Sequence, residues 1–106
     1  FSQGAAVAAM LDVRWLVCFS AVAPPPRAPS AGDGAPRPWR PRRDGRQPSF
    51  HCYDLSEEVA AQCEHVQRAF EREPVAVHHS EGHRIPKAAS VAARLREFLE
   101  ARAAGE

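Results

Sequence analysis

A serine near the start of the chain has the neighbours of an enzyme nucleophile. Ser2 is followed by Gln3 and Gly4, and then by the small residues Ala5 and Ala6. In the G-x-S-x-G motif, a serine lies on a strained turn between a strand and a helix, with its hydroxyl exposed. The helix N-terminus beneath that serine favours developing negative charge. The pattern predicts that Ser2 attacks a carbonyl group and that the backbone N–H of Gln3 is an oxyanion donor.

The stretch "FSQG" is also compatible with an ordinary helix start, in which the serine is only an N-cap. The later residues separate the two interpretations, because hydrolases with this motif place an acid and then a histidine after the serine. His83 follows the last apolar segment and precedes a helical one, which is where such a base would lie. Gly82 is expected to let the turn approach closely, and Pro86 suits the first turn of the next helix.

Two carboxylates compete for the role of the acid that orients the histidine. Asp54 and Glu57 both follow the apolar segment "PSFHCY". Either side chain can hold a histidine tautomer, because enzymes of this type use Asp or Glu. A purely structural interpretation is a capping box, with Asp54 as the N-cap and Glu57 at the N3 position of the next helix.

Three short apolar segments predict the strands that position these residues. They are rich in aromatic and β-branched side chains and do not alternate with polar ones. Strands of this kind are typical of a parallel sheet that is covered on both faces. The predicted strands span residues 14–21, 48–53 and 74–79.

Helical segments alternate with the predicted strands. Residues 4–12 are Ala-rich and favour a helix. Apolar residues recur at helical spacing over residues 56–71, and again from Ala88 to the end of a closing helix near Gly105. This order of elements predicts a three-layer α/β fold with a parallel sheet.

The segment from about residue 24 to residue 47 has a different composition, dominated by Pro, Arg, Gly and Asp. Such a segment is expected to form an irregular, solvent-exposed loop that buries no core. It contains the one concentrated basic stretch, "RPWRPRRDGR", which is interpreted as solvated loop. Because the net charge of the chain is only +1, no nucleic-acid partner is expected.

The length of the chain, its cysteines and its longest apolar run limit the classes of protein to which it can belong. The 106 residues suffice for a single core. The three cysteines are an odd number without C-x-x-C spacing, which favours buried, reduced thiols and a cytoplasmic protein. The longest apolar run, residues 15–23, is shorter than the roughly 20 residues of a membrane span. No membrane partner and no visible signal peptide are therefore expected.

The cluster "HHSEGH" raises the question of a metal site. His78 and His79 are adjacent in a predicted strand, so their side chains should point to opposite faces, which disfavours a shared metal with His83. No metal and no cofactor are expected.

Three stretches together resemble one protein family. "FSQGAAVAAML", "PSFHCYDLSEEV" and "SEGHRIP" resemble the FSH serine hydrolases, which are α/β-hydrolase esterases. The turn that carries the nucleophilic serine, called the nucleophile elbow, typically reads G-F-S-Q-G-A in that family. The family's histidine lies in a G-H-x-[IV]-P turn. The elbow is shared with carboxylesterases and acyl-protein thioesterases, whereas "GHRIP" favours the FSH family. The resemblance covers nearly the whole chain except the Pro/Arg loop.

The resemblance implies an α/β-hydrolase fold and assigns the acid. The family usually has Gly at the position of Asp54 and Asp at the position of Glu57, so Glu57 is predicted as the triad acid and Asp54 is the alternative. Residues 1–106 are expected to be the C-terminal part of one hydrolase domain that begins inside the elbow, with the strands before it missing.

The implied activity is hydrolysis of a small carboxylic ester by Ser2, His83 and Glu57 through an acyl-enzyme. The isolated chain is expected to be inactive because it is truncated. One alternative is a truncated or non-catalytic protein that keeps the hydrolase scaffold. Another is an enzyme of the acyl-protein thioesterase or phospholipase type, which differs in substrate. The sequence specifies neither the acyl-chain length nor the oligomeric state.

Overall fold

Three parallel strands form the centre of the molecule. A computed structural model describes residues 1–23 and 39–105 of the chain. Within these residues the strands are β1 (Leu16–Phe19), β2 (Ser49–Asp54) and β3 (Val75–His79), and the helices are α1 (Gln3–Ala8), α2 (Ala60–Arg68) and α3 (Ala89–Gly105). The sheet order is β1-β2-β3, and both pairings are parallel. The predicted α/β class with a parallel sheet is confirmed.

The middle strand β2 is covered on both faces. All six of its residues are buried, as expected for a central strand of a parallel sheet. One face packs on α1 and α2, in a core formed by Ala5, Ala6, Ala9, Leu16, Cys18, Ala21, Trp39, Val66 and Phe70. The other face packs on α3, in a core formed by Phe50, Cys52, Val77, Val91 and Phe98. The helices thus lie on both sides of the sheet.

The parallel arrangement gathers the carboxyl ends of all three strands at one edge. Phe19, Asp54 and His79 end the strands there, with Glu57 in the segment after β2 and His83 in the segment after β3, whereas Ser2 precedes β1 in the chain. In open α/β sheets this edge is where ligands bind. The amino ends of the strands meet at the opposite edge.

Both of the first two helices are shorter than predicted. Helix α1 ends at Ala8 rather than at residue 12, and α2 begins at Ala60 rather than at residue 56. The reason for the late start of α2 is a local turn, in which the carboxylate of Asp54 accepts the N–H of Ser56 at 2.8 Å. Such an Asx turn competes with helix formation, and periodicity alone does not reveal it.

The expectation for residues 24–47 is partly wrong. Residues 24–38 lie outside the described part of the chain, but residues 39–47 pack against the fold. Trp39 is buried in the core beneath α1, and its indole N–H donates a hydrogen bond of 2.9 Å to the carbonyl of Ala6. This part of the predicted solvent-exposed loop therefore contributes to the core.

All three cysteines are free and buried, as predicted. Burial raises the pKa of the Cys18 and Cys63 thiols to about 12 and that of Cys52 to about 11. They are therefore protonated at neutral pH and poor nucleophiles. Among the helices of the described residues, none has the length and apolarity needed to cross a membrane.

Candidate active site

Ser2 lies on a strained turn at the carboxyl edge of the sheet. Its backbone has φ 55° and ψ −132°, a left-handed φ that is unfavourable for a residue with a side chain and is found mainly where function requires it. Two hydrogen bonds hold it beside the end of β1: its N–H donates to Phe19 at 3.0 Å, and its carbonyl accepts from Val22 at 3.1 Å. Ser2 occupies the N-cap position of α1, but its side chain caps no helical N–H, so the hydroxyl is available for other contacts.

His83 occupies the turn after β3, close to Ser2. Its Nε2 lies 3.2 Å from Ser2 Oγ, and its Nδ1 lies 2.9 Å from Glu57 Oε1. An ionised carboxylate only accepts hydrogen bonds, so Nδ1 carries the proton and a neutral imidazole has Nε2 free to accept from the Ser2 hydroxyl. The ring of Phe1 packs on the imidazole with 4.9 Å between centroids.

Glu57 has a side chain that is only 2% exposed and is surrounded by donors. Besides His83, its carboxylate accepts the Ser20 hydroxyl at 3.1 Å and the Asp54 N–H at 3.0 Å. Burial alone would raise the pKa of this carboxyl, but the hydrogen bonds from His83, Asp54 and Ser20 outweigh burial and lower the pKa below its ordinary value. Glu57 is therefore charged at neutral pH, opposite His83 Nδ1.

Asp54 contacts the backbone instead of the imidazole. One oxygen accepts the N–H and the hydroxyl of Ser56, and the other accepts the N–H of Gly82 at 2.9 Å. Hydrogen bonds from Ser56 and Gly82 lower the pKa of this carboxyl. Of the two candidate acids, the structure places Glu57 at His83 and uses Asp54 to hold the turn that carries it. Half of the alternative capping box is also present, because Glu57 accepts the Asp54 N–H, although helix α2 starts only at Ala60.

Ser20 is a site residue that the sequence reasoning missed. It is fully buried at the end of β1, has a left-handed φ of 48°, and donates its hydroxyl to Glu57. Its backbone N–H donates to the carbonyl of Cys52 at 2.8 Å, which fixes the turn beside β2. The available signal was its position, directly after β1 at the carboxyl edge of the sheet.

The expected reason for Gly82 is wrong. A Cβ built on Gly4 or on Gly82 meets no described atom within 4 Å, so neither glycine is required by close packing. Gly82 instead has φ +79°, which glycine adopts without the penalty of other residues. In the first turn of α1, close packing occurs at the two residues after Gly4, because Ala5 and Ala6 are buried against the sheet.

Among the described residues, none of the other four histidines forms a hydrogen bond with Ser2, Glu57 or His83, although His79 lies beside Asp54 in the sheet. His51 is buried within β2, and His65 and His78 are exposed. His79 Nδ1 accepts the backbone N–H of Glu81 at 3.0 Å. Within residues 1–23 and 39–105, no three His, Cys, Asp or Glu side chains converge as metal ligands would.

The arrangement forms a chain of hydrogen bonds from a hydroxyl through an imidazole to a buried carboxylate. Such a chain can remove a proton from the hydroxyl and return it to a leaving group. Gln3, the first residue of α1, has a backbone N–H that has no acceptor within the helix. That N–H belongs to the residue directly after Ser2, where an oxyanion donor is expected.

Comparisons of the chain with protein-family models, with curated proteins and with solved structures found no match. The resemblance to FSH serine hydrolases therefore rests on the sequence motifs alone.

Proposed function

We propose that this chain is a serine hydrolase of the α/β-hydrolase type that cleaves carboxylic esters through Ser2, His83 and Glu57. One observation carries the proposal: Ser2 Oγ, the His83 ring and the Glu57 carboxylate form one continuous series, with distances of 3.2 and 2.9 Å. Ser2 and His83 are 81 positions apart in the chain. Glu57 lies between them, so the order is serine, acid, histidine. That is the order of the α/β-hydrolase triad.

The first half of the reaction is acyl transfer to Ser2. The Ser2 oxygen attacks the ester carbonyl while His83 Nε2 takes its proton, so a tetrahedral oxyanion forms beside the Gln3 N–H. His83 then donates that proton to the leaving alkoxide, and the C–O bond of the ester breaks. The products are an alcohol and an acyl-Ser2 ester.

The second half regenerates the enzyme. Water attacks the acyl-Ser2 carbonyl while His83 Nε2 removes a proton from that water molecule. His83 then gives the same proton to the Ser2 oxygen as the carboxylic acid leaves. In both halves Glu57 accepts from Nδ1, keeps the proton off Nε2 in the resting state and stabilises the imidazolium that forms. The lowered pKa of Glu57 keeps it ionised for this purpose.

The left-handed backbone at Ser2 supports the same role. Holding a serine at φ 55° costs on the order of 1–3 kcal/mol, and an ordinary helix N-cap does not require it. Here it directs the hydroxyl to His83 rather than to the first turn of α1. Two backbone hydrogen bonds at the end of β1 maintain the conformation.

The test is covalent labelling of the purified chain with a fluorophosphonate probe, alongside turnover of p-nitrophenyl acetate. We expect labelling of Ser2, located by peptide mass spectrometry, and its loss in Ser2→Ala and His83→Ala. Ser90→Ala is the matched control, because Ser90 is an exposed serine near the start of α3. Labelling that persists in Ser2→Ala, or a folded wild-type chain that is never labelled, would reject the hydrolase assignment in favour of a non-catalytic scaffold.

Two substrates compared in the same assay distinguish hydrolysis of oxygen esters from hydrolysis of thioesters. A p-nitrophenyl ester and an acyl thioester of equal chain length present the same acyl group with different leaving groups. We expect turnover of the oxygen ester. Turnover of the thioester alone would reassign the enzyme to thioester hydrolysis with the same residues.

A further inference from the structure

Five arginines surround one cavity at the amino edge of the sheet. The cavity has a volume of about 300 Å³, and its lining includes Arg14, Arg42, Arg43, Arg46 and Arg72. We call it the arginine cavity. Arg14 precedes β1, Arg42–Arg46 precede β2, and Arg72 precedes β3, so arginines from segments distant in the chain line the same cavity.

The positive charge of the arginine cavity is only partly neutralised. Arg43 pairs with Asp12 at 2.8 Å, and Arg46 pairs with Glu71 at 3.4 Å. The other three arginines form no ion pair with any residue in 1–23 or 39–105. Five guanidinium groups and two carboxylates leave an excess of three positive charges, although the whole chain carries only +1. This count covers the lining arginines and their two ion-pair partners, and the exposed carboxylates of Asp44 and Glu73 lie in the same segments without lining the cavity.

The backbone around the cavity is fixed by hydrogen bonds. The N–H of Arg42 donates to Ala9 at 2.8 Å, and the N–H of Arg72 donates to Gly45 at 3.2 Å. Gly45 also lies against Phe70, because a Cβ there would be 2.5 Å from the Phe70 Cα. The backbone at Arg42 and Arg72 is thus held in place, and all five arginine side chains are exposed to solvent.

Repulsion among fixed like charges destabilises a folded chain unless a counterion offsets it. We propose that the arginine cavity binds a small molecule that presents two adjacent phosphate groups. Guanidinium groups bind phosphate oxygens through paired N–H donors, which a single ammonium group does not offer. The three excess charges match a diphosphate group in magnitude, and about 300 Å³ is at the lower end of small-molecule sites.

The cavity fits a compact anion better than a nucleic-acid strand. None of its lining residues is aromatic, and single-stranded nucleic acids are usually bound with aromatic side chains on which bases stack. The positive groups also converge on one concave place rather than following an extended stripe, which a phosphate backbone would need.

This site is separate from Ser2 and His83. The candidate active site lies at the carboxyl edge, and the six residues of β2 between the two edges span roughly 20 Å. The proposal does not depend on the proposed hydrolase function, and either can fail without the other.

The experiment is calorimetric titration of the full chain with inorganic pyrophosphate at constant ionic strength. We expect one site, weaker binding of inorganic phosphate, and weaker binding of both at higher salt. Arg42→Gln and Arg72→Gln should each reduce pyrophosphate affinity about tenfold or more, since each removes a charged donor. Arg94→Gln is the matched control with the same change of charge, because Arg94 lies on α3 outside the cavity, and it should bind as the wild type does.

The remaining arms keep the proposal open to rejection. If Arg42→Gln or Arg72→Gln does not fold, as judged by the loss of a cooperative melting transition, Arg14→Gln is used in its place. Ser2→Ala should bind pyrophosphate as the wild type does, because Ser2 lies at the opposite edge of the sheet. Adenosine diphosphate tests the same phosphates carried on a nucleoside, and binding that is lost with Arg42→Gln supports the site with that source. Absence of pyrophosphate and diphosphate binding at millimolar concentration would overturn the proposal. So would equal loss in Arg94→Gln, or much tighter binding of a short single-stranded oligonucleotide.

Discussion

Asp54 and Glu57 lie three residues apart, and their different neighbours give them different tasks. The Glu57 carboxylate faces the imidazole of His83, whereas the Asp54 carboxylate accepts backbone and hydroxyl groups of the surrounding turns. Only a charge at Glu57 can select which nitrogen of His83 carries the proton. A charge at Asp54 acts on His83 through Gly82, and so through position rather than protonation.

Replacing each acid by its amide separates the two tasks. Glu57→Gln should reduce kcat for ester hydrolysis by about 10³–10⁴-fold, because a neutral amide no longer fixes the tautomer or stabilises the imidazolium. Asp54→Asn should lose less than about tenfold, because its amide oxygen can still accept the Gly82 N–H. The measurement is kcat and fluorophosphonate labelling of folded variants, with folding checked by thermal melting. The reverse ranking of the two variants would make Asp54 the acid.

The sequence alone did not distinguish these acids. Both follow the same strand, and both fit a capping box, so residue type and spacing left the choice open. The direction of each side chain depends on the Asp54–Glu57 turn, which is stabilised by contacts with Ser20, Ser56 and Gly82. Those partners come from the ends of all three strands, and spacing within one segment does not identify them.

Helix α1, which follows Ser2, depends on neighbouring elements. It has only six residues, too few for a helix to be stable by itself in water. Residues 39–47 support helix α1. Trp39 packs in the core between α1 and the sheet and donates its indole N–H to the Ala6 carbonyl, and the Arg42 N–H donates to the Ala9 carbonyl. The conformation at Ser2 should therefore depend on Trp39.

Two substitutions at Trp39 test this dependence. Trp39→Ala should lower the free energy of unfolding by about 3–5 kcal/mol, since it removes a buried aromatic side chain. Trp39→Phe should cost about 1–2 kcal/mol, because the Ala6 carbonyl loses its donor. The measurement is urea unfolding together with the labelling rate of Ser2.

Trp15→Phe is the control for Trp39, because Trp15 is 39% exposed and its ring forms a T-shaped pair with Phe98, with 6.3 Å between centroids. It should cost less than either change at Trp39. Unfolding of Trp39→Ala at the wild-type urea concentration would show that residues 39–47 do not support α1.

The elements were predictable where periodicity was strong and were missed where composition concealed packing. The three strands and α3 follow from apolar runs and helical spacing. The role of residues 39–47 was missed because prolines and arginines dominate around them, and the one contrary signal was Trp39 itself. A single tryptophan in a polar segment is weak evidence before its acceptor, the Ala6 carbonyl, is known.

For the molecule as a whole, one part of the response to acid comes from carboxylates that accept hydrogen bonds in the folded state, and another part comes from a buried histidine. Asp54, Glu57 and Glu81 have lowered pKa values in the folded state. Their stabilising contribution is present above the ordinary carboxyl pKa and is lost as the pH falls through the lower, folded values. These carboxylates therefore affect the free energy of unfolding only at acidic pH, near and below the ordinary carboxyl pKa.

His51 acts at higher pH and in a different way. It is 1% exposed, neither ring nitrogen has a hydrogen-bond partner among the described residues, and its ring meets the edge of Phe70 at 4.9 Å. Burial lowers the pKa of His51 to about 4, well below the value of about 6.5 for an unfolded chain. Between these values the unfolded state binds a proton that the folded state does not, so stability falls as the pH is lowered.

We expect the free energy of unfolding to decrease from about pH 6.5 downward, with His51 contributing about 3 kcal/mol of that loss by pH 4. His51→Leu, of similar volume and without a titrating group, should remove the slope between about pH 6.5 and 4.5 and leave the carboxylate-dependent loss at lower pH. The measurement is urea unfolding at half-unit pH intervals. His65→Gln is the control, since His65 is exposed on α2 and should keep the wild-type slope. An unchanged slope in His51→Leu would mean that His51 is not the group whose burial makes this fold sensitive to acid.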